Sequence, residues 1–208
     1  MSRKSEAKWP PIFSKADLGL ETPRWQRRSS EMLADCHVFK VRHDSSSKTE
    51  GAALFDFYCL EAPDWINVIP LTSDQRVVMI EQFRHGSGEV TLEIPGGMVD
   101  EGESAATAAA RELFEETGFG IENLVSLGAS RPNPAIQDNW IHNLVALNVS
   151  METRPEFDST EHTTVRMVPL EQIPELIADG TISHALVVLA FYKLNLYNAG
   201  LIPASGNS

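Results

Sequence analysis

Apolar and polar residues follow two different periods along the chain. Short apolar stretches bounded by serine, glycine, aspartate or proline predict β-strands, and longer stretches with apolar residues at helical spacing predict helices. The predicted strands are Cys36–Arg42, Leu54–Glu61, Trp65–Pro70, Val77–Phe83, Leu124–Ala129, Trp140–Val149 and Thr164–Val168, with the serines at 45–47 separating the first two. The predicted helices are one in the stretch Gly97–Phe119, one near Leu170–Asp179 and one at Ser183–Tyr197. The pattern therefore predicts a chain that contains both strands and helices.

Both ends of the chain lack this pattern. Residues 1–22 are polar and contain Pro10 and Pro11, and residues 199–208 are rich in small side chains. We expect both segments to be flexible.

The composition limits the classes of function. With 208 residues and 42% hydrophobic content, the chain is long enough for one catalytic domain with a full core. A net charge of -12 argues against general binding to nucleic acids or anionic membranes, because phosphate groups attract basic surfaces. Cys36 and Cys59 form neither a disulfide framework nor a paired metal motif, and no apolar run has the length of a membrane span. We therefore expect a cytoplasmic protein.

The stretch Gly97–Phe119 carries the strongest chemical signal. At about 100° per residue, Glu112, Glu115 and Glu116 share one helix face, while Leu113 and neighbouring alanines face a core. Ser104 suits the N-cap, Gly118 suits a left-handed C-terminal stop, and Arg111 is spaced to pair with Glu115. Clustered carboxylates are hard oxygen ligands, which favours Mg²⁺ or Mn²⁺.

The same stretch fits the pattern G-x5-E-x7-R-E-U-x-E-E-x-G-U at every position, U being a bulky apolar residue. In this it resembles the Nudix hydrolase family. The resemblance implies an α/β/α sandwich around a mixed sheet, and hydrolysis of a nucleoside diphosphate linked to another group. It also implies that the motif residues Gly97, Glu103, Arg111 and Gly118 are structural.

Four further pieces resemble the branch of ADP-ribose pyrophosphatases and nucleoside diphosphate sugar hydrolases: Glu81–Arg84, Leu92–Gly97, the prolines Pro132 and Pro134, and Gly180–Ser183. This branch carries an N-terminal antiparallel sheet that makes a homodimer. The resemblance therefore implies a sheet region at 23–62 that dimerises and a Nudix domain at 63–198.

The resemblance also implies a metal site with two or three Mg²⁺ ions, for which Mn²⁺ substitutes. Its expected ligands are Gly96 through its carbonyl oxygen, Glu112, Glu115, Glu116 and Glu161. The general base is expected to be Glu161 or Glu115, with Glu156 and Asp158 as further candidates, because Ser159 occupies a position where branch members often carry an acid.

Substrate contacts are expected from five residues: Arg84, Met98, Trp25, Trp65 and Pro134. Arg84 touches phosphate in the branch, although pairing with Glu93 is the alternative. The two tryptophans either stack on a base or pack in the sheet. The histidines His85, His142 and His162 lack metal-ligand spacing, and we interpret them as ordinary polar or core residues.

The expected function is metal-dependent hydrolysis of the pyrophosphate bond of ADP-ribose or a related nucleoside diphosphate sugar, giving a nucleoside monophosphate and a sugar phosphate. The alternatives are hydrolysis of GDP-mannose or of a dinucleoside polyphosphate, or a non-catalytic Nudix module that senses a nucleotide. The intact glutamates disfavour the sensing module.

Overall fold

The computed structural model describes residue 22, residues 24–153 and residues 163–202. The strands are β1 (Gln26–Asp35), β2 (Lys40–Ser47), β3 (Phe55–Glu61), β4 (Trp65–Leu71), β5 (Arg76–Arg84), β6 (Glu89–Glu93), β7 (Gly96–Met98), β8 (Phe119–Gly120), β9 (Asn123–Ser130), β10 (Ile141–Leu147), β11 (Ser150–Met151) and β12 (Thr164–Pro169). The helices are α1 (Ala105–Thr117), α2 (Ile173–Ala178) and α3 (Ala185–Asn198), with a 3-10 turn at Leu170–Gln172 before α2.

The central sheet of the described residues has seven strands and is mixed. Its main path is β12-β5-β4-β10-β9, with β6 added to β5 and β7 added to β4. Strand β10 runs parallel to β4, and the other pairs are antiparallel. A parallel pair in a sheet otherwise built from antiparallel neighbours needs a long connection, and α1 lies within it.

Helices cover the central sheet on both faces. On one face Ala108, Ala109 and Leu113 of α1 pack against Val68 and Leu144. On the other face Val187, Ala190, Phe191 and Leu194 of α3 pack against the opposite side of β4 and β10. Because successive strand residues point to opposite faces, the near-continuous apolar run in β4 serves both cores. This is the layered α/β arrangement around a mixed sheet that the family resemblance implies.

The N-terminal sheet has the antiparallel order β1-β2-β3. The predicted bounds of the strand Cys36–Arg42 were wrong, because residues 36–39 form a turn with His37 at φ 66° and β2 starts at Lys40 and continues through the serines at 45–47. The sequence also missed β1, whose ten residues are all exposed and so give no apolar signal.

The N-terminal sheet is tied to the segment between β9 and β10. The Leu60 amide donates to the carbonyl oxygen of Ile136 at 2.7 Å, and the Leu60 carbonyl oxygen accepts from the Asp138 amide at 3.3 Å. Arg42 on β2 donates to Asp44 at 3.0 Å, pairs with Glu61, and lies 3.6 Å from Asp138. Backbone bonds and ion pairs therefore join the two sheets at this segment.

None of the helices in the described ranges is long and apolar enough to cross a membrane.

Candidate active site

Helix α1 is held at both ends by its capping residues. The Ser104 hydroxyl accepts a hydrogen bond from the Thr107 amide at 3.1 Å. At the other end Gly118 has φ 74°, and its amide donates to the Phe114 carbonyl oxygen at 2.8 Å. A residue with a Cβ is strained in this left-handed conformation, so glycine suits the position. The two caps fix the length and orientation of the helix that carries the glutamates.

The turn at Gly96 and Gly97 lies directly against the carboxylates of α1. The Gly96 amide donates to Glu116 Oε2 at 3.1 Å. A Cβ atom at Gly97 would overlap the carboxylate of Glu112. A Cβ at Gly96 would in turn lie 2.5 Å from the Ile66 carbonyl oxygen. Two successive glycines are therefore needed for the strand β7 backbone to approach both β4 and the helix.

Arg111 lies at the centre of the acidic face and donates to three carboxylates. It bonds Glu103 at 3.0 and 3.2 Å, Glu112 at 2.8 Å and Glu115 at 3.3 Å, and it also donates to the Met98 carbonyl oxygen at 3.0 Å. The hydrogen bond to Glu103 and the neighbouring negative charges raise the pKa of Arg111, against the effect of burial. This cation offsets the repulsion between the carboxylates and joins α1 to strand β7.

The donor atoms around this turn suit a hard divalent cation. The side chains of Glu112 and Glu116 are largely buried beside the Gly96–Gly97 backbone, whereas the Glu115 side chain is 56% exposed. The described side chains form no group of three acidic, His or Cys residues arranged as a metal cage. Mg²⁺ usually takes one or two protein carboxylates and completes its shell with water and substrate phosphate. Glu112 and Glu116 therefore fit such an ion.

A cleft of about 670 Å³ opens beside the glycine turn. Its lining residues come from β4, β7, β10, the β5–β6 hairpin and the start of α3. They include Trp65, Ile66, Asn67, Arg84, Thr91, Gly96, Gly97, Met98, Ile141, Ser183 and His184. This volume and the mixture of apolar walls with a few polar groups are typical of a small-molecule site.

Arg84 and Glu93 form a paired contact at the cleft. The guanidinium donates from Nε and Nη2 to the two carboxylate oxygens at 2.8 and 2.7 Å, and the Thr91 hydroxyl donates at 2.5 Å. Glu93 is only 2% exposed, so burial works to raise its pKa, but these hydrogen bonds and the Arg84 charge hold the pKa of Glu93 below its ordinary value. The carboxylate thereby fixes the position of Arg84.

His184 also lines the cleft and approaches the same carboxylate. Its Nδ1 lies 4.0 Å from Glu93 Oε2 and has no hydrogen-bond partner among the residues described. Sequence reasoning missed this residue, because histidine before an apolar helix carries no local signal. Only the fold brings it beside a glutamate that lies far away in the sequence.

Comparison with known proteins agrees with this geometry. The family model of the NUDIX domain matches residues 63–191, which include the glycine turn, α1 and most of the cleft. The chain belongs to the Nudix family. Nudix hydrolases generally need divalent metal ions, in keeping with the carboxylates of α1.

Individual Nudix relatives cover most of the chain. An ADP-ribose pyrophosphatase of Bacillus subtilis is 30% identical over 138 residues, which cover 66% of this chain and 75% of that protein. The methanol dehydrogenase activator of Bacillus methanolicus is 31% identical with the same coverage. The crystal structure of an ADP compounds hydrolase has a TM-score of 0.74 at 23% identity, covering 86% of this chain and 97% of that one. The Nudix sandwich with its N-terminal sheet is confirmed, and the chain is a Nudix pyrophosphohydrolase of the ADP-ribose pyrophosphatase branch.

The Nudix fold brings some of the predicted site residues together and separates others. Arg84, Met98 and Trp65 line the cleft with Gly96 and Gly97. Trp25 instead packs against Phe55 and Phe57 on the N-terminal sheet, with ring centroids 5.6 and 5.2 Å apart. Pro134 lies between β9 and β10 and is not a lining residue.

One candidate base lies among the residues that the structure describes, and the others do not. Glu115 lies on α1, but Glu156, Asp158, Glu161 and His162 lie outside the described residues. The flanking residues are positioned: the Thr153 amide donates to the Gly118 carbonyl oxygen at 3.2 Å, and the Thr163 hydroxyl donates to that of Glu116 at 3.1 Å. The described residues on both sides of 154–162 thus meet the C-terminal end of α1.

The Arg84–Glu93 pair predicts a pH-dependent stability. Because the folded state lowers the pKa of Glu93 below its ordinary 4.5, the ionised carboxylate stabilises the fold above that pH, and the contribution is lost as the pH falls through the folded pKa. We expect Glu93→Gln to lower the free energy of unfolding by about 1–3 kcal/mol at pH 7, and the difference to shrink below pH 4.5. Denaturant unfolding at several pH values measures the difference in the free energy of unfolding and its change with pH. Glu89→Gln, at an exposed residue, is the control. A difference that does not change with pH would contradict this account.

Proposed function

We propose that the protein hydrolyses the pyrophosphate bond of ADP-ribose or a related nucleoside diphosphate sugar, releasing a nucleoside monophosphate and a sugar phosphate. The observation that carries this proposal is the contact of Glu112 and Glu116 with the Gly96–Gly97 turn at the edge of a cleft that also contains Arg84. The names of the relatives, among them two ADP-ribose pyrophosphatases, support the substrate class.

The proposed cofactor is Mg²⁺, two or three ions per site, with Mn²⁺ as a substitute. Glu112 and Glu116 would hold it together with the Gly96 carbonyl oxygen, and the more exposed Glu115 would contribute at the open side. When bound, these ions supply positive charge for the pyrophosphate and activate the attacking water. Arg111 keeps the carboxylates apart and aligned before any cation is present.

The cleft residues would orient the substrate. Glu93 fixes the orientation of the Arg84 guanidinium, and the side chain is still 41% exposed. A phosphate would therefore bind a guanidinium that is already ordered. Trp65 and Met98 lie opposite each other on β4 and β7 and offer apolar surface to a base. A panel of ADP-ribose, GDP-mannose and a dinucleoside polyphosphate, assayed by released monophosphate, determines the preferred substrate.

The first prediction of this mechanism concerns Glu116. Glu116→Gln keeps the size of the side chain but removes charge from the cation site, so turnover of ADP-ribose with Mg²⁺ should fall at least about a hundredfold with little change in fold. Excess EDTA should abolish wild-type turnover. The matched control is Glu175→Gln on the exposed side of α2, which should remain active. Near-normal turnover of Glu116→Gln, or full activity in EDTA, would rule out the proposed site.

The second prediction separates the two candidate bases. The support for Glu161 is its place two residues before Thr163, whose hydroxyl bonds the Glu116 carbonyl oxygen. If Glu161 is the base, Glu161→Gln should lower kcat about a hundredfold with a small effect on KM, because a base acts in the transition state. If Glu115 is the base, Glu115→Gln should show that loss and Glu161→Gln should be nearly normal. Equal small effects of both variants would reject both assignments.

We further propose a homodimer formed through the N-terminal sheet. The described part of this sheet exposes large apolar side chains: Trp25, Met32, Leu33, Val38, Leu54, Phe55, Phe57 and Tyr58. So much exposed apolar surface in one region is typical of an interface. The proposed occupant is a second copy, whose opening strands, including Trp25, would complete the substrate pocket of its partner.

The free cysteines Cys36 and Cys59 fit a reducing compartment, and we propose the cytoplasm.

The dimer proposal predicts a particle of twice the 23.0 kDa chain mass in light scattering at micromolar concentration. Phe57→Asp places a charge in the proposed interface and should shift the protein to the monomer. Tyr192→Asp, at an exposed aromatic residue on α3, outside the proposed interface, should leave the dimer intact. A monomeric wild-type protein would refute the proposal.

A further inference from the structure

His184 lies at the junction between the cleft and α3 without serving as a cap. It is the N-cap residue of α3, with φ -69° and ψ 114°, yet its side chain makes no capping hydrogen bond. The residue instead lines the cleft together with Ser183 and Asn67. A residue that neither caps the helix nor packs in either core has its side chain available for a ligand.

The surroundings determine which nitrogen of the ring carries the proton. Nδ1 is inaccessible and lies 4.0 Å from Glu93 Oε2, too far for a hydrogen bond. Burial lowers the pKa of His184 and outweighs the opposing effect of Glu93, so the ring is neutral near pH 7. A lone pair on Nδ1 would face a carboxylate and be repelled, so the proton belongs on Nδ1 and the lone pair on Nε2.

The exposed part of the His184 side chain excludes Nδ1, and the residue lines the cleft. The side chain is 34% exposed although Nδ1 is buried, so the exposed surface lies on the remaining side-chain atoms. Glu93, itself held by Arg84 and Thr91, keeps the ring in this orientation through its charge. The arrangement resembles the pairing of a carboxylate with a histidine that orients the ring of the histidine for its partner.

The strand register gives the cleft an order from apolar to polar. On β4 and β7, Trp65 pairs with Met98, Ile66 with Gly97, and Asn67 with Gly96. The Asn67 side chain in turn donates to the Leu186 carbonyl oxygen at 3.1 Å, next to His184. Trp65 and Met98 therefore lie at one end of this paired segment, and Asn67 lies opposite Gly96 at the other end, where its side chain reaches the start of α3 that carries His184. A base suits the apolar end and a hydroxylated sugar the polar end.

We propose that His184 determines specificity by accepting a hydrogen bond at Nε2 from a hydroxyl group of the substrate's sugar. Glu93 acts as the positioning residue that sets the ring orientation. The inference rests on the proposed function, since it assigns the sugar of a nucleoside diphosphate sugar to one end of the cleft.

Two amide substitutions test the hydrogen bond without removing polarity. The amide of glutamine reaches the position of Nε2, whereas the shorter amide of asparagine does not. With ADP-ribose and Mg²⁺ we expect His184→Asn to raise KM about five- to tenfold, His184→Gln to stay within about threefold, and kcat to change little in both. Asparagine is also a preferred N-cap residue, so a purely structural role predicts that His184→Asn is at least as stable and fully active. A wild-type KM in His184→Asn would overturn the proposal.

His142 is a matched control for these variants. Its side chain is also 34% exposed and its Nε2 contacts a carboxylate, that of Asp64 at 3.0 Å, but it does not line the cleft. His142→Asn should leave KM unchanged. A similar rise in KM from both histidines would mean that the effect is not specific to the cleft, and would also overturn the proposal.

Binding of the two expected products separates this inference from the proposed function. In calorimetric titrations, His184→Asn should bind ribose 5-phosphate about five- to tenfold more weakly than the wild-type protein does. Its affinity for AMP should not change. This holds whether or not the enzyme turns over ADP-ribose, so an inactive wild-type protein would reject the proposed function alone. Weaker AMP binding instead, or no binding of ribose 5-phosphate by the wild-type protein at millimolar concentration, would reject the role of His184.

Discussion

The site depends on one close approach, that of the Gly96–Gly97 backbone to the carboxylates of α1. A hydrogen bond from the Gly96 amide and the lack of a side chain at Gly97 let Glu116 and Glu112 lie against the strand. A larger residue at Gly97 would displace the Glu112 carboxylate of α1, and a larger residue at Gly96 would push β7 away from β4. The carboxylates would then lose the backbone oxygen that could complete their cation site. The acidic face of α1 thus becomes a site only because β7 is nearly free of side chains there.

Strand β4 connects the glycine turn with the rest of the fold. It pairs with β5, β7 and β10, and its residues supply both cores as well as the floor of the cleft. Its burial leaves little room for adjustment, because close-packed interiors resist displacement. The acidic face of α1 on one side and the start of α3 on the other are therefore both held against the same buried strand.

The sequence predicts those parts of the site that depend on local spacing. The glutamates of α1, its caps and the Arg111–Glu115 contact follow from helical periodicity, and β4 and β5 follow from their apolar runs. β1 could not be found in this way, since all of its residues are exposed, and the turn at His37 displaced the boundary predicted for β2. Trp25 and Pro134 illustrate a different difficulty. The residue type of Trp25 and the family resemblance at Pro134 suggest contact with substrate, but neither residue lines the cleft of this chain. Long-range packing sets their positions. No local sequence pattern marks His184, because its environment depends on Glu93, which lies on a strand far away in the sequence.

The hydrogen bonds between Leu60 and the segment from Ile136 to Asp138 constrain how this protein can vary. Surface connections usually tolerate insertions and deletions because nothing fixes their length. Here the connection joins β9 and β10 of the central sheet and is bonded at an intermediate point to β3 of the N-terminal sheet. We therefore expect related chains that keep this N-terminal sheet to conserve the length of the connection more strictly than its composition.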